Sequence, residues 1–76
     1  MIVTLIRGFG AGFARTTRSK LVDLPAVPQI GWLVHVGDKV MREVQGVAVG
    51  PEELEVALRV EPEENLVQAE ADGWRP

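Results

Sequence analysis

Hydrophobic and polar side chains alternate most regularly in the segment from Leu54 to Glu61. Aliphatic residues occupy every second position of this segment, namely Leu54, Val56, Leu58 and Val60. A period of two places these side chains on one face of a β-strand. A helix is the competing interpretation, because Pro51 would suit a first helical turn. The two valines favour the strand.

Four more strands are predicted from segments that are rich in β-branched residues and bounded by turn signals. Their ranges are 1–7, 15–24, 32–36 and 39–49. The first is apolar on both faces, which is typical of a central strand. The second begins with basic and hydroxyl side chains, which suit an exposed edge. Gly46 in the fourth strand predicts a bulge or a sharp bend.

The segment from Leu24 to Trp32 connects the second predicted strand to the third. Pro25 and Pro28 hold its backbone extended and remove two N–H donors. Gly31 ends this constraint, and Trp32 opens the next strand. Because the segment lies between two strands and is flanked by apolar residues, we interpret it as an internal hinge of the scaffold.

A short helix is predicted between residues 62 and 73. Pro62 suits its first turn, and the glutamates that follow favour the positive end of the helix dipole. Gly73 stands where a left-handed residue ends a helix, and Trp74 beyond it is able to fold back onto the helix. A helix this short is unstable alone, so we expect it to dock on the sheet.

These elements predict a mainly β protein: a five-stranded small SH3-like barrel, or a bent antiparallel sheet, with a short C-terminal helix. The chain forms a single domain, residues 1–76. Its parts are an N-terminal hairpin (1–24), the proline crossing with a three-strand meander (25–61), and the short helix (62–73).

The order of a hairpin, a crossing and a meander looks like that of an SH3-type small barrel. The stretch from Leu24 to Val40 contains a Leu-Pro-x-x-Pro-x-x-Gly run and a Gly-Asp-Lys-Val turn. It resembles short uncharacterised β proteins of bacteria and their phages. This resemblance implies a fold and no activity.

Composition narrows the classes of function. The 76-residue chain has no cysteine, which excludes disulfides and thiolate zinc sites. Small secreted domains usually carry disulfides, so we expect a cytoplasmic protein. The longest uncharged run, 24–37, is too short for a bilayer, which needs about 20 apolar residues. We therefore expect no membrane partner, and the sequence indicates no cofactor.

The side chains that carry enzymatic chemistry form no recognisable site. His35 is the only histidine, and we expect it to lie on a sheet face without a nucleophile or metal to serve. The clustered glutamates lie at turns, where carboxylates are solvated, whereas acid–base pairs need an apolar pocket. We predict that the protein is not an enzyme and has no metal site.

Glycines at alternate positions from Gly8 to Gly12 predict a hairpin loop. A phosphate-binding loop would lead into a helix, but strand-like residues follow here. The segment Arg7–Gly10 is similar to the first four positions of the RNA-recognition RNP1 motif. The likeness stops there, since Ala11 and Gly12 replace the aromatic residue and valine of that motif.

Charge is distributed unevenly around a net value of −3. Residues 1–20 contain no acid, whereas residues 52–72 contain eight acids and only one basic residue, Arg59. The favoured interpretation is that these opposite charges pair within the fold. Alternatively, basic and aromatic side chains of the hairpin grip a partner. The candidates for such contacts are Arg7, Phe9, Phe13, Arg15, Arg18 and Lys20.

Three functions are compatible with these observations. The first is a non-catalytic module that binds a protein partner or another copy of itself, with Trp32 and Trp74 as anchors unless they belong to the core. The second is a nucleic-acid-binding barrel that uses the basic hairpin. The third is a small phage-type inhibitor whose acidic segment 52–72 binds a nucleic-acid-handling protein.

Overall fold

The computed structural model describes residues 1–10, 15–35, 41–51, 53–60 and 64–76. The elements within these ranges are β1 (Ile2–Phe9), β2 (Thr16–Asp23), β3 (Leu33–His35), β4 (Met41–Val49), β5 (Leu54–Leu58) and α1 (Leu66–Ala71). The predicted Gly37-Asp38 turn, the start of the fourth predicted strand and Pro62 lie outside the described residues.

The five strands form one sheet in the order β2-β1-β5-β4-β3, curled into a half-barrel. The predicted mainly β fold with a short C-terminal helix is therefore confirmed. The sheet is mixed, because β1 pairs antiparallel with β2 but parallel with β5. An alternating pattern reads the same in both directions, so the period of two could not reveal that parallel pairing.

Strand β1 lies inside the sheet, as its apolar composition predicts, and β2 lies at an edge. β1 extends two residues beyond the predicted end at Arg7, because Gly8 and Phe9 pair with Thr17 and Thr16. The guanidinium of Arg15 fills the space where a side chain on Gly8 would stand. Gly8 is thus a strand residue that makes room for Arg15.

The segment 54–60 contains a strand rather than a helix, as the alternation predicts. Val56 and Leu58 are buried, and both lie on the predicted face. The pairing of β4 with β5 shifts register between Val44 and Gly46, so the predicted bulge at Gly46 is confirmed. The bulge bends β4 and helps to curl the sheet.

The proline segment connects β2 to β3, and its end is fixed to β4. Gly31 N donates to Val44 O at 2.9 Å, and Val44 N donates to Trp32 O at 2.8 Å. Gly31 has φ of +93°, a conformation that other residues adopt at a cost. Trp32 precedes β3 and does not belong to it. The segment therefore anchors β3 by hydrogen bonds at its glycine end.

Helix α1 is shorter than predicted. It begins at Leu66, and Glu64 is not helical. Asn65 is the N-cap, since its Oδ1 accepts from Gln68 N at 2.8 Å. The predicted start was wrong because Glu64 turns towards the sheet, where it pairs with arginines.

The predicted end of α1 is confirmed. Gly73 has φ of +95°, its N–H donates to Glu70 O, and Trp74 N donates to Ala69 O. These two bonds form a Schellman motif. Trp74 folds back into the core with 2% of its surface exposed. The buried residues that form this core are Val3, Leu5, Phe9, Val34, Val44, Val56, Leu58, Ala69 and Trp74.

Candidate interaction surface

The C-terminal segment, residues 64–76, contacts the middle of the outer edge of β2. Ser19 N donates to Arg75 O at 2.6 Å, and Arg75 N donates to Ser19 O at 2.8 Å. This bridge supplies β2 with backbone partners at the middle of its free side. An edge with paired backbone groups is a poor template for another strand.

Side chains strengthen the same contact. Arg18 Nη2 donates to Glu70 Oε1 at 3.2 Å, and Lys20 Nζ donates to Asp72 O at 3.1 Å. Two of the predicted interaction residues, Arg18 and Lys20, are thus engaged with the acidic end of the chain. These contacts agree with the favoured interpretation that opposite charges pair within the fold.

A buried ion cluster joins the C-terminal segment to the concave face of the sheet. Arg7 Nη2 donates to Glu64 Oε1 at 2.5 Å, and Arg42 Nε donates to the same oxygen at 2.8 Å. Arg42 Nη2 also contacts this oxygen. Arg7 and Arg42 are 2% and 8% exposed. Because charged groups are costly to bury alone, each member requires the others.

Aromatic rings also lie beside Arg7. Its guanidinium carbon lies 4.9 Å from the ring centre of Phe9 and 4.8 Å from that of Trp74. Both distances are within the range of cation–π attraction. Arg7 is therefore a core residue that holds Phe9, Trp74 and Glu64 together.

The six predicted interaction residues do not form one accessible patch. Arg7 and Phe9 are buried, and the interaction role of the set stays a prediction. Arg15 is exposed and covers Gly8. Phe13 lies outside the described residues. Arg15 is the member of the set that the structure leaves exposed.

The opposite edge of the sheet, β3, differs from β2. Val44 N donates to Trp32 O, and Glu43 O accepts from Arg59 N on the other side of β4. Backbone groups of successive strand residues point to opposite sides. The register of Val34 opposite Arg42 therefore directs the N–H and C=O of Val34 towards β4.

The same alternation directs the backbone groups of Leu33 and His35 away from β4. Since β3 is the last strand of the sheet, no described strand pairs with this side. The outer edge of β3 thus presents two N–H and two C=O groups over a length of three residues. Such groups bind an additional strand when one is available.

An open groove of about 240 Å³ runs beside this edge. The proline segment forms one wall and β3 the other. The groove is lined by Leu24, Pro25, Ala26, Pro28, Trp32, Leu33, Val34 and His35. Seven of these eight residues are apolar, so the groove favours apolar side chains.

Apolar side chains also surround the groove. Trp32 is 50% exposed, Leu33 58% and Ile30 70%, and Met41 on the neighbouring strand is 52% exposed. Isolated exposed hydrophobic residues are normal, whereas a group that adjoins an open groove is a candidate interaction surface. We define the β3 edge surface as Ile30, Trp32, Leu33, His35 and Met41 together with the groove.

Sequence reasoning missed Arg42 and misjudged Glu64. Arg42 stands two positions before the buried Val44, and Arg7 continues the alternate row of Val3 and Leu5. In both strands the arginine lies at the same alternate positions as buried residues, and this pattern could have indicated a buried charge. Glu64 gave no comparable signal, because its partners lie far away in the sequence.

The described residues indicate neither a metal centre nor a membrane-spanning helix. No group of three His, Asp or Glu side chains in the described ranges converges as metal ligands would. His35 is exposed on the outer strand. Within the same ranges, no helix has the length and apolar character needed to cross a bilayer. The predicted absence of catalysis, metal and cofactor stays a prediction.

Comparison of the chain with protein-family models, with curated proteins and with solved structures gives no match. The resemblance to SH3-type barrels and to short bacterial and phage β proteins therefore stays a prediction.

Proposed function

We propose that this protein is a non-catalytic interaction module that binds a partner strand along the outer edge of β3. One observation carries the proposal: the β3 edge adjoins an apolar groove and has no described strand beside it, whereas the middle of the β2 edge is bridged by the protein's own C-terminal segment. The partner is an extended and largely apolar protein segment, because backbone pairing and the groove act together on such a segment.

The energetic argument has two parts. Each backbone hydrogen bond contributes about 0.5–1.5 kcal/mol net, so the outward groups of Leu33 and His35 alone give weak binding. Burial of apolar side chains adds about 25 cal/mol per Å² of apolar surface. The groove and the exposed Trp32 supply this second contribution.

The charge distribution gives less support to the two alternatives. Binding of nucleic acid through the hairpin needs free basic side chains, but Arg18 and Lys20 are engaged with the acidic end. An inhibitor that displays acids loses one of them, because Glu64 is 14% exposed and pairs with two arginines, although Glu70 is 52% exposed. Both alternatives therefore rank below the β3 edge surface as proposals.

Peptide selection tests the proposed function. We expect a displayed library of short random peptides to yield binders with alternating apolar residues, which shift the amide NMR signals of Leu33 and His35. Leu33→Pro removes one outward N–H and leaves the inward groups of Val34 in place, so it should weaken binding. Failure to select any peptide, together with a strictly monomeric protein, would overturn the proposal.

A second arm locates the site. Val49→Lys changes another exposed aliphatic residue, far along β4 from the groove, and should leave peptide binding unchanged. Selected peptides that instead shift signals of β2 residues would contradict the assignment to β3.

A further inference from the structure

We infer that the protonation state of His35 controls binding at the β3 edge surface: the surface binds an apolar extended segment when His35 is neutral and releases it when acid makes His35 charged. This inference rests on the proposed function and adds a form of regulation to the same site. Histidine is the side chain whose charge ordinarily changes between about pH 5 and 8. His35 is the only ionisable residue among the eight that line the groove.

The position of His35 brings it into direct contact with a bound strand. It is the last residue of β3 and is exposed in the free protein. Its backbone groups point away from β4, so an antiparallel partner strand forms hydrogen bonds with His35 itself. The Cα atoms of such a pair are about 5.5 Å apart, and the two side chains lie on the same face of the sheet. A partner side chain therefore lies directly beside the imidazole.

The imidazole then has apolar neighbours on both sides. Met41 lies opposite His35 on β4, on the side away from the partner, and is 52% exposed. Leu33 shares the face of His35 and is also exposed. A charged group that loses water without gaining a charged partner is costly to bury, whereas a neutral polar group costs less. The neutral form of His35 therefore suits an apolar partner, and the charged form opposes it.

One described charge shares the face of His35 on the neighbouring strand. Glu43 on β4 lies opposite Leu33, which places it diagonally from His35, at a typical separation of about 7–8 Å. Arg42 lies on the other face, where it pairs with Glu64. The proline segment and the rest of β3, residues 24–34, contain no charged residue. Any test of His35 therefore has to separate its titration from the charge of Glu43.

The linkage between protonation and binding sets the size of the effect. If binding excludes one proton, the affinity changes by at most about tenfold for each pH unit. An ordinary histidine is half protonated at about pH 6.5. A partner that binds only the neutral form therefore loses about tenfold in affinity between about pH 7.5 and about pH 5.5. The affinity decreases as the pH falls, because acid favours the charged form that the partner does not bind.

Fluorescence anisotropy with a labelled peptide tests this inference. The peptide is selected at about pH 7.5, has no ionisable side chain and has a blocked N-terminus, so its own charge stays constant over the range. We expect the unmodified protein to lose about tenfold in affinity at about pH 5.5. His35→Gln keeps a polar side chain that stays neutral, and it should bind equally at both pH values. Glu43→Gln is the matched control and should keep the loss.

The outcomes separate this inference from the proposed function. A loss of affinity in acid that persists in His35→Gln would overturn the inference. Equal affinity of the unmodified protein at both pH values would also overturn it, but would leave the proposed function standing. No binding at about pH 7.5, where histidine is mostly neutral, would overturn the proposed function and the inference with it. Amide NMR spectra of the unbound protein at both pH values exclude unfolding as the cause of a loss.

Discussion

The two edge strands of the sheet, β2 and β3, differ in the contacts that their outer sides make. At β2, Arg75 pairs with the backbone of Ser19, and Arg18 and Lys20 contact the acidic C-terminal segment. At β3, the backbone groups of Leu33 and His35 point outward beside an apolar groove. The chain itself bridges the middle of one edge, whereas no described strand pairs with the other.

This contrast shows how little a charge pattern alone says about binding. The basic hairpin has the composition of a nucleic-acid surface, yet its charges contribute to internal contacts. The proline segment has the composition of a scaffold, yet it forms one wall of the open groove. Natural proteins protect exposed edges with charges, bulges, covering segments or very short strands, and β3 with its three residues is such a short strand.

The largest expected difference in stability is between substitutions of the two tryptophans, because Trp74 lies in the core and Trp32 lies beside the β3 edge. Trp74→Ala should destabilise the protein by about 3–5 kcal/mol, because it removes a fully buried aromatic ring. That loss is comparable to the total stability of a small domain. Trp32→Ala removes a half-exposed ring and should cost less than about 1.5 kcal/mol. Urea unfolding measures both, and equal losses would contradict the assignment of Trp74 to the core and Trp32 to the surface.

The ion cluster gives the next largest effect. Glu64→Gln removes the carboxylate charge that the buried Arg7 and Arg42 share and should destabilise by about 3–5 kcal/mol. Glu70→Gln is the matched control, because the carboxylate of Glu70 is half exposed and such pairs contribute about 1 kcal/mol or less. If thermal unfolding shows the same change for both variants, the cluster does not hold the C-terminal segment.

A smaller effect is expected where the proline segment joins β3. Gly31→Ala forces a left-handed backbone on a residue with a Cβ, which costs about 1–2 kcal/mol. No atom lies within 4 Å of the new Cβ, so strain of the backbone is the whole reason. Gly50→Ala, at a glycine without a left-handed φ and with only ordinary contacts, should be close to neutral. Chemical denaturation of both variants separates the cost of the left-handed backbone from the general effect of replacing a glycine by alanine.

The smallest effect on stability is expected at the outer edge of β2. Arg18→Ala breaks a surface ion pair with Glu70 and should change the free energy of unfolding by about 0.5 kcal/mol or less. The change should diminish in high salt, since exposed charges are screened. A large, salt-independent loss would show that Arg18 carries more of the β2 contact than its ion pair.

Local patterns predicted the elements well. The alternation from Leu54, the glycine bulge at Gly46 and the Gly73–Trp74 cap each depend on residues close in sequence, so local physical rules apply to them directly. The apolar first strand also predicted an inner position in the sheet, which the order of the strands confirms.

Long-range pairing was harder to predict. The parallel contact of β1 with β5 and the triad of Arg7, Arg42 and Glu64 join residues far apart in the chain. Arg7 lies on the same face of β1 as the buried Val3 and Leu5, but its charge suggested an exposed position. The open β3 edge follows from strand order and register, which a single sequence leaves undetermined.

Amide hydrogen exchange at β3 tests the central claim most directly, because it reads the two sides of that strand separately. In dilute protein, we expect the amides of Leu33 and His35 to exchange rapidly, while the amide of Val34 is protected by its bond towards β4. When a selected peptide is added, the two outward amides should gain protection and that of Val34 should change little. Outward amides that are already protected in the free protein, or that gain no protection from a bound peptide, would contradict the claim that the open edge of β3 binds a strand.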